Sequence, residues 1–230
     1  MSLIDAPAPE RPDNPPRKTC APRVAIKVIV IAAALGLLGW FLISNVGGWK
    51  DRFFPRKLRV VDPGMVWASG QINQHLIRQI LIDDKIQRVV SLDPDDPADP
   101  DVAAEIQVCR DLGIERFNDP LRGDGTGDIH SYADAVAQIV AAVKQGKPVL
   151  LHCSSGAQRS NGATFYYRVL VQGRPAQDAM EEMFRNGHDP RENPLLIPYL
   201  NDHMAEMANL LLQKGVIGSV PDPLPRIQYP

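Results

Sequence analysis

Between Leu58 and Gln213, short runs of β-branched and aliphatic residues alternate with longer stretches whose apolar residues recur at helical spacing. This alternation most constrains the fold. A helix between two strands supplies the length that a parallel crossover needs, so the pattern predicts an α/β sheet with at least one such crossover. "LRVVD" (58–62) and "MVWAS" (65–69) read as two strands joined by the Pro63-Gly64 turn. "QHLIRQILIDD" carries Leu76, Ile77, Ile80 and Leu81 on one helical face, with Asn73 as N-cap. "RVVSL" (88–92) is a buried-type strand. The next helix is opened by Asp99 and Pro100 and closed near Gly113, with Ala103, Ile106 and Leu112 apolar. "IERFN" (114–118) reads as a strand, and "PLRGDGTGD" (120–128) as a glycine-rich loop. A helical stripe of Ile129, Tyr132, Val136, Ile139, Val140 and Val143 follows and stops at Gly146. "KPVLLHC" (147–153) is a strongly buried strand. Helical patterns then cover about 160–171, 175–186 and 198–214, and no internal repeat is present.

Ahead of this region lies a different kind of segment. From Val28 to Ile43, "VIVIAAALGLLGWFLI", every residue is apolar or glycine. With its neighbours it reaches roughly the twenty residues that span a bilayer. Lys27 sits where its side chain can snorkel to the interface, and Trp40 and Trp49 are candidate interfacial anchors. A cleaved leader is the rival reading; against it, the run is long and no A-x-A-like site follows. The expected organisation is a basic tail (1–23), a single transmembrane anchor (24–46), a juxtamembrane linker (47–57), a main domain (58–214) and a proline-rich arm (215–230). Arg11, Arg17, Lys18, Arg23 and Lys27 precede or open the apolar run, and Lys50, Arg52, Arg56, Lys57 and Arg59 follow it. These equal counts leave the membrane side of the main domain open.

The formal net charge of −2 hides an asymmetry: residues 1–59 hold ten Lys/Arg against four Asp/Glu, and the remainder fifteen against twenty-three. An acidic main domain excludes non-specific binding of nucleic-acid backbones. Cys20, Cys109 and Cys153 are too few for a disulfide framework, and no C-x-x-C pair suggests zinc. No metal or other cofactor is expected, and nothing in the sequence specifies an oligomeric state.

"LLHCSSGAQRSN" (151–162) concentrates the chemistry. A thiolate, not a thiol, is the sulfur nucleophile, and free cysteine has a pKa of about 8.5. Placing Cys153 between a strand and a helix lets the helix N-terminus and the loop N–H groups favour the anion. The N–H groups of Ser154, Ser155, Gly156, Ala157, Gln158 and Arg159 can also turn inward and cradle phosphate oxygens as a nest. Gly156 permits the tight backbone. Arg159 can clamp two phosphate oxygens as a planar fork. Ser160 can donate to the sulfur as it departs, and His152 can fix the loop by a local hydrogen bond. A bare C-x5-R is weak, whereas the added histidine, glycine and serine in a strand–loop–helix context make it specific.

"HCSSGAQRS" resembles the signature of the protein tyrosine phosphatase superfamily, in its small dual-specificity-like branch. The resemblance covers roughly Leu58 to Gln213 and includes "GMVWASGQI", "RVVSL" and "DLGIERFNDPL". It implies a three-layer α/β sandwich with a mixed, mostly parallel central sheet flanked by helices. It also implies a two-step, metal-free reaction through a cysteinyl-phosphate, with Cys153 as nucleophile, Arg159 as clamp, Ser160 in the hydroxyl role and His152 in support. The family further uses an aspartic acid on an upstream loop to protonate the leaving oxygen. Asp119, Asp124 and Asp128 are the candidates. Asp124 is favoured because it lies between two glycines and its distance from the cysteine resembles that in dual-specificity members. Asp128 stands where capping is the default work of an aspartate.

Relatives that act on inositol phosphates tend to carry lysines inside the loop. Here the interior, Ser154 to Gln158, has none, which favours a phosphorylated protein or small monoester. The rival enzyme readings are rhodanese-like or arsenate-reductase-like domains, and the rival of another class is a module that binds phosphate without turnover. Asp93, Asp95, Asp96, Asp99 and Asp101 invite a calcium reading, but prolines interrupt them, so a solvated loop and a helix cap are expected. Cys109 is read as core packing rather than a redox partner of Cys153. His130, His188 and His203 are read as structural or exposed, and the polar segment 186–193 as a possible border of the pocket.

Overall fold

The computed structural model describes the backbone of residues 22–45, 51 and 53–229, and the side chains of 26–40, 51 and 53–229. Most of the basic tail with Cys20, together with Trp49, Lys50 and Arg52, lies outside the described residues. The chain divides into two units, 1–47 and 48–230.

In the first unit a single helix, α1 (Pro22–Asn45), carries the apolar run. Its described side chains, 26–40, are exposed nearly throughout, with Leu37 at 70%. Among the described residues no helix is long and apolar enough to cross a membrane. The anchor expected over 24–46 lies partly outside the described residues.

The second unit is built on five strands: β1 (Arg59–Asp62), β2 (Val66–Ser69), β3 (Arg88–Ser91), β4 (Glu115–Asn118) and β5 (Val149–His152). Their order is β1-β2-β5-β3-β4, with β1 antiparallel to β2 and the other pairings parallel. Pro63-Gly64 turns β1 into β2, and the Met65 N–H closes the turn on Asp62 O at 3.1 Å. Helices α2 (Ile77–Asp83) and α3 (Pro100–Leu112) cover one face. Helices α4 (Ile129–Lys144), α5 (Arg159–Tyr166), α6 (Ala176–Arg185), α7 (Leu196–Asp202) and α8 (Met204–Gln213) build the other side of the core. The mixed sheet flanked by helices is the architecture expected from the sequence.

Three local differences have physical causes. Helix α2 begins at Ile77 instead of at residue 74, because Asn73 closes a turn through His75 N and Leu76 N. Helix α5 runs on as a π-helical turn over Tyr167–Val171. The stretch expected as one helix over 198–214 begins earlier and is two helices meeting at His203, whose ring stacks on Tyr199 at 4.1 Å. The buried stripe of α3 is Val102, Glu105, Val108 and Cys109, whereas Ala103, Ile106 and Leu112 lie at its half-buried flanks.

The central strand β5 explains how the site is divided. Alternate side chains point to opposite faces of a sheet. Val149, Leu151 and Cys153 accordingly join the larger core, and Leu150 joins the α2/α3 layer with Cys109. Cys109 is thus packed in the layer opposite Cys153, and burial pushes its thiol up to about 12. The segment after α8 returns over the domain: Ile227 is buried and bonded by Asn201 in both directions, at 2.8 and 3.0 Å.

Candidate active site

Strand β5 ends at His152, and the chain turns through 153–158 before α5 begins at Arg159. Two constraints demand glycine at 156. Its φ is +72°, and a Cβ there would approach Gly70 N to 2.6 Å and Ser69 C to 2.8 Å. The loop is thereby seated against the end of β2, with Cys153 N donating to Ser69 O at 3.4 Å. Among the described residues the N–H groups of Ser154, Ser155, Gly156 and Gln158 have no protein acceptor, while the carbonyls of Ser154, Gly156, Ala157 and Gln158 are all bonded. A loop with satisfied carbonyls and free N–H groups is an anion-binding nest.

Cys153 is fully buried, and its Sγ lies 3.6 Å from Ser160 Oγ. Arg159 is buried as well. Its Nη1 donates to Leu92 O at 3.3 Å and forms an ion pair with Asp93 Oδ1 at 2.5 Å, while its Nε has no protein partner. One edge of the guanidinium is therefore pinned and another donor is left for a ligand. Burial pushes the Asp93 carboxyl above its ordinary range, against the lowering influence of Arg159 and His152. Asp93 was expected in a solvated acidic loop. Instead it holds Arg159, Asp95 pairs with Arg116 at 2.7 Å, and only Asp99 acts as the expected cap, accepting from Asp101 N at 2.8 Å.

His152 faces the opposite layer, as the strand alternation requires. Its Nε2 lies 3.0 Å from Glu105 on α3, which is 1% exposed. Glu105 also accepts from Arg116 Nε at 2.9 Å and Gln71 Nε2 at 3.2 Å. Burial alone would push this carboxyl up, but His152 and then Arg116 outweigh it and hold it well below the usual carboxylate range. Gln71 also donates its backbone N–H to Ser154 O at 3.1 Å, so one residue braces both the loop and the buried carboxylate. On the other side, His188 Nδ1 lies 2.6 Å from Gln158 Oε1 in the signature loop, and burial lowers the imidazole below its ordinary value.

A cavity of about 780 Å³ opens beside Arg159, lined in part by Arg122, Gly123, Thr126, Asp128 and Tyr199. The three candidate acids fall in different places. Asp128 lines this cavity and caps α4, accepting from His130 N at 2.9 Å. Asp124 is tied into its own loop, accepting from Thr126 N at 2.9 Å and Thr126 Oγ1 at 2.8 Å; the backbone bond foremost lowers its carboxyl below the ordinary range. The loop carrying it nonetheless touches the signature loop, since a Cβ on Gly125 would lie 3.5 Å from Gln158 Cβ. Asp119 faces Asp134 and Lys214, and burial foremost, then Asp134, raises it to about 6.

Among the four residues that sequence reasoning missed, Glu105 had a legible signal: a carboxylate on the buried helical stripe with Val102 and Cys109. Asp93 and Arg59, whose guanidinium donates to Gly156 O, had none, and His188 lies in the polar segment 186–193 read as a border of the pocket. Their partners are far away in the chain.

The chain matches no family model. Over 68 residues it is 46% identical to the dual specificity protein phosphatase TpbA of Pseudomonas aeruginosa strain UCBPP-PA14, a match covering 30% of this chain and 30% of that protein. The aligned stretch thus spans less than a third of the curated relative. The crystal structure of P. aeruginosa TpbA superposes with a TM-score of 0.55 at 25% identity, over 70% of this chain and 91% of that one. The catalytic core of the Saccharomyces cerevisiae PP-IP phosphatase SIW14 shares the fold, with a TM-score of 0.54 at 16% identity, over 74% of this chain and 97% of that one.

Proposed function

We propose that this chain, which belongs to the protein tyrosine phosphatase superfamily in its small dual-specificity-like branch, hydrolyses phosphomonoesters through a cysteinyl-phosphate. The observation that carries this reading is the nest of free N–H groups around Cys153, closed by an Arg159 whose Nε is unpartnered. In the first step the Cys153 thiolate attacks phosphorus, the P–O ester bond breaks, and the leaving oxygen takes a proton from an aspartic acid. In the second step that carboxylate removes a proton from water, which attacks phosphorus and releases phosphate and the thiolate, with Ser160 donating to the departing sulfur. The loop N–H groups and Arg159 hold the equatorial oxygens throughout.

Asp124 is assigned as the acid. It acts after its bonds to Thr126 are released, a change suited to a segment with glycine on both sides. A second reading places the acid at Asp128, favoured by its position in the cavity lining. The substrate assigned is a phosphorylated protein, supported by the absence of lysine from 154–158 and by the name of the relative TpbA. The apolar run in α1 is assigned as a single membrane anchor, supported by its composition and by the exposure of its described side chains. Retention of the full chain in the membrane fraction after carbonate washing tests the anchor, and its release would refute it.

The activity test uses the full chain in detergent with an aryl phosphate, with and without chelator. Turnover is expected to be chelator-insensitive and to fall on the order of 10⁴-fold or more in Cys153→Ser. A wild type that binds tungstate yet turns over nothing would make the site a recognition module.

A further inference from the structure

When N–H groups turn inward to form a nest, the carbonyls of the same peptide groups turn outward, and each needs a donor. In this domain the donors come from the chain ahead of and within β1, from Gln71 after β2, whose N–H meets Ser154 O, and from α5. Arg56 Nη1 donates to Ser154 O at 3.3 Å. Arg59 Nη1 donates to Gly156 O at 3.0 Å, and Asn161 Nδ2 donates to Ala157 O at 2.8 Å. Arg59 Nη2 donates in turn to Asn161 Oδ1 at 2.8 Å, so one guanidinium bears on two successive peptide groups of the loop.

The two arginines are not equivalent. Arg56 is half-exposed and neutralised by Asp51. Arg59 is mostly buried, its Nε has no hydrogen-bond partner, and its remaining contact is the Lys57 carbonyl at 3.3 Å. No carboxylate among the described residues lies in ion-pair reach of it. Glu182, the carboxylate that acts on it from a distance, is already bonded to Arg168 at 3.0 Å and Arg174 at 2.9 Å. A guanidinium stays protonated even when buried, so its charge is real and costly to bury. That charge sits on the carbonyl side of two peptide groups of the loop: the N–H of one, Gln158, lines the nest, and the N–H of the other, Ala157, donates to Ser155 Oγ at 3.3 Å beside it.

We propose that Arg59 is a positioning residue that strengthens oxyanion binding without touching the substrate: held against Gly156 O and coupled through Asn161 to Ala157 O, its uncompensated charge polarises those peptide groups toward the nest. The effect follows from hydrogen-bond cooperativity and from unscreened electrostatics in a buried setting. It rests on reading the loop as an oxyanion cradle.

The test compares Arg59→Gln, Arg59→Lys and wild type in the full chain, using tungstate as the probe, with KM, kcat and thermal unfolding measured alongside. Arg59→Gln is expected to weaken tungstate binding and raise KM on the order of tenfold with a smaller change in kcat. Arg59→Lys is expected to retain most of the affinity, because it keeps the charge. If Arg59→Gln does not fold, Arg59→Met, which removes the charge with an apolar stem, carries the comparison. Tungstate affinity unchanged in the neutral variants overturns the inference, as does an Arg59→Lys loss equal to that of Arg59→Gln. A wild type that binds no tungstate overturns the cradle itself and the inference with it.

Discussion

The two loops that meet at this site are held in opposite ways. The signature loop, 153–158, is braced from outside by Arg56, Arg59, Gln71, Asn161 and His188, which come from both ends of the domain. The loop at 120–128 mostly bonds to itself: Arg122 N to Thr126 O, Gly125 N to Arg122 O, and Thr126 to Asp124. Its outside supports are the Leu92 carbonyl, which accepts from Leu121 N at 3.1 Å, and two tyrosine hydroxyls, Tyr132 on Gly125 O at 2.7 Å and Tyr199 on Gly127 O at 3.0 Å. A loop braced by distant groups keeps one geometry, whereas one closed by its own short bonds can exchange them locally. The contrast suits the roles proposed for the two loops, a fixed nucleophile and an adjustable acid.

The sharpest way to break this comparison is at Asp124. Asp124→Asn is expected to lower kcat roughly 10²- to 10³-fold in steady-state assays. If Asp128→Asn does so instead, the acid belongs to the cavity lining and the loop need not rearrange. Next is the foundation of the rigid loop. Glu105→Ala is expected to cost about 3–5 kcal/mol in urea unfolding, because it strands His152 and Arg116 beside a vacated buried charge. The folded Glu105 carboxyl is depressed. Its contribution is therefore present above its unfolded value and is lost as pH falls toward the folded one.

Smaller effects test the flanks of the 120–128 loop. Asp128→Ala removes the α4 cap and is expected to cost about 1 kcal/mol in thermal unfolding, whereas Asp128→Asn keeps the cap and costs little. Asp119→Asn has the opposite sign. Its carboxyl is raised to about 6 in the fold, so the folded state binds the proton more tightly and wild-type stability falls as pH rises toward 6. The substitution is expected to stabilise the protein at pH 8 by roughly 1 kcal/mol after discounting for solvent screening, and this gain disappears below the unfolded value. Activity is expected to stay unchanged.

Strand and helix order, the turn at Pro63-Gly64, the Asp99 and Asp128 caps and the strand–loop–helix around Cys153 were all legible in the sequence. Each depends on residues within one or two turns of one another, where periodicity and side-chain chemistry act directly. The single-helix reading of 198–214 failed because the break at His203 involves stacking on Tyr199, which leaves no mark on the apolar pattern. The support of the site was not legible for a related reason. Asp93 pairs with Arg159, Glu105 with His152 47 residues away, and Arg59 with Gly156 97 residues away. The sequence by itself singled out Cys153, Gly156 and Arg159 as the candidates for the chemistry, since their spacing and the histidine and serine around them make the pattern specific. Only the tertiary structure decided which charges are buried against them, because desolvation and pairing depend on where the sheet brings distant segments together.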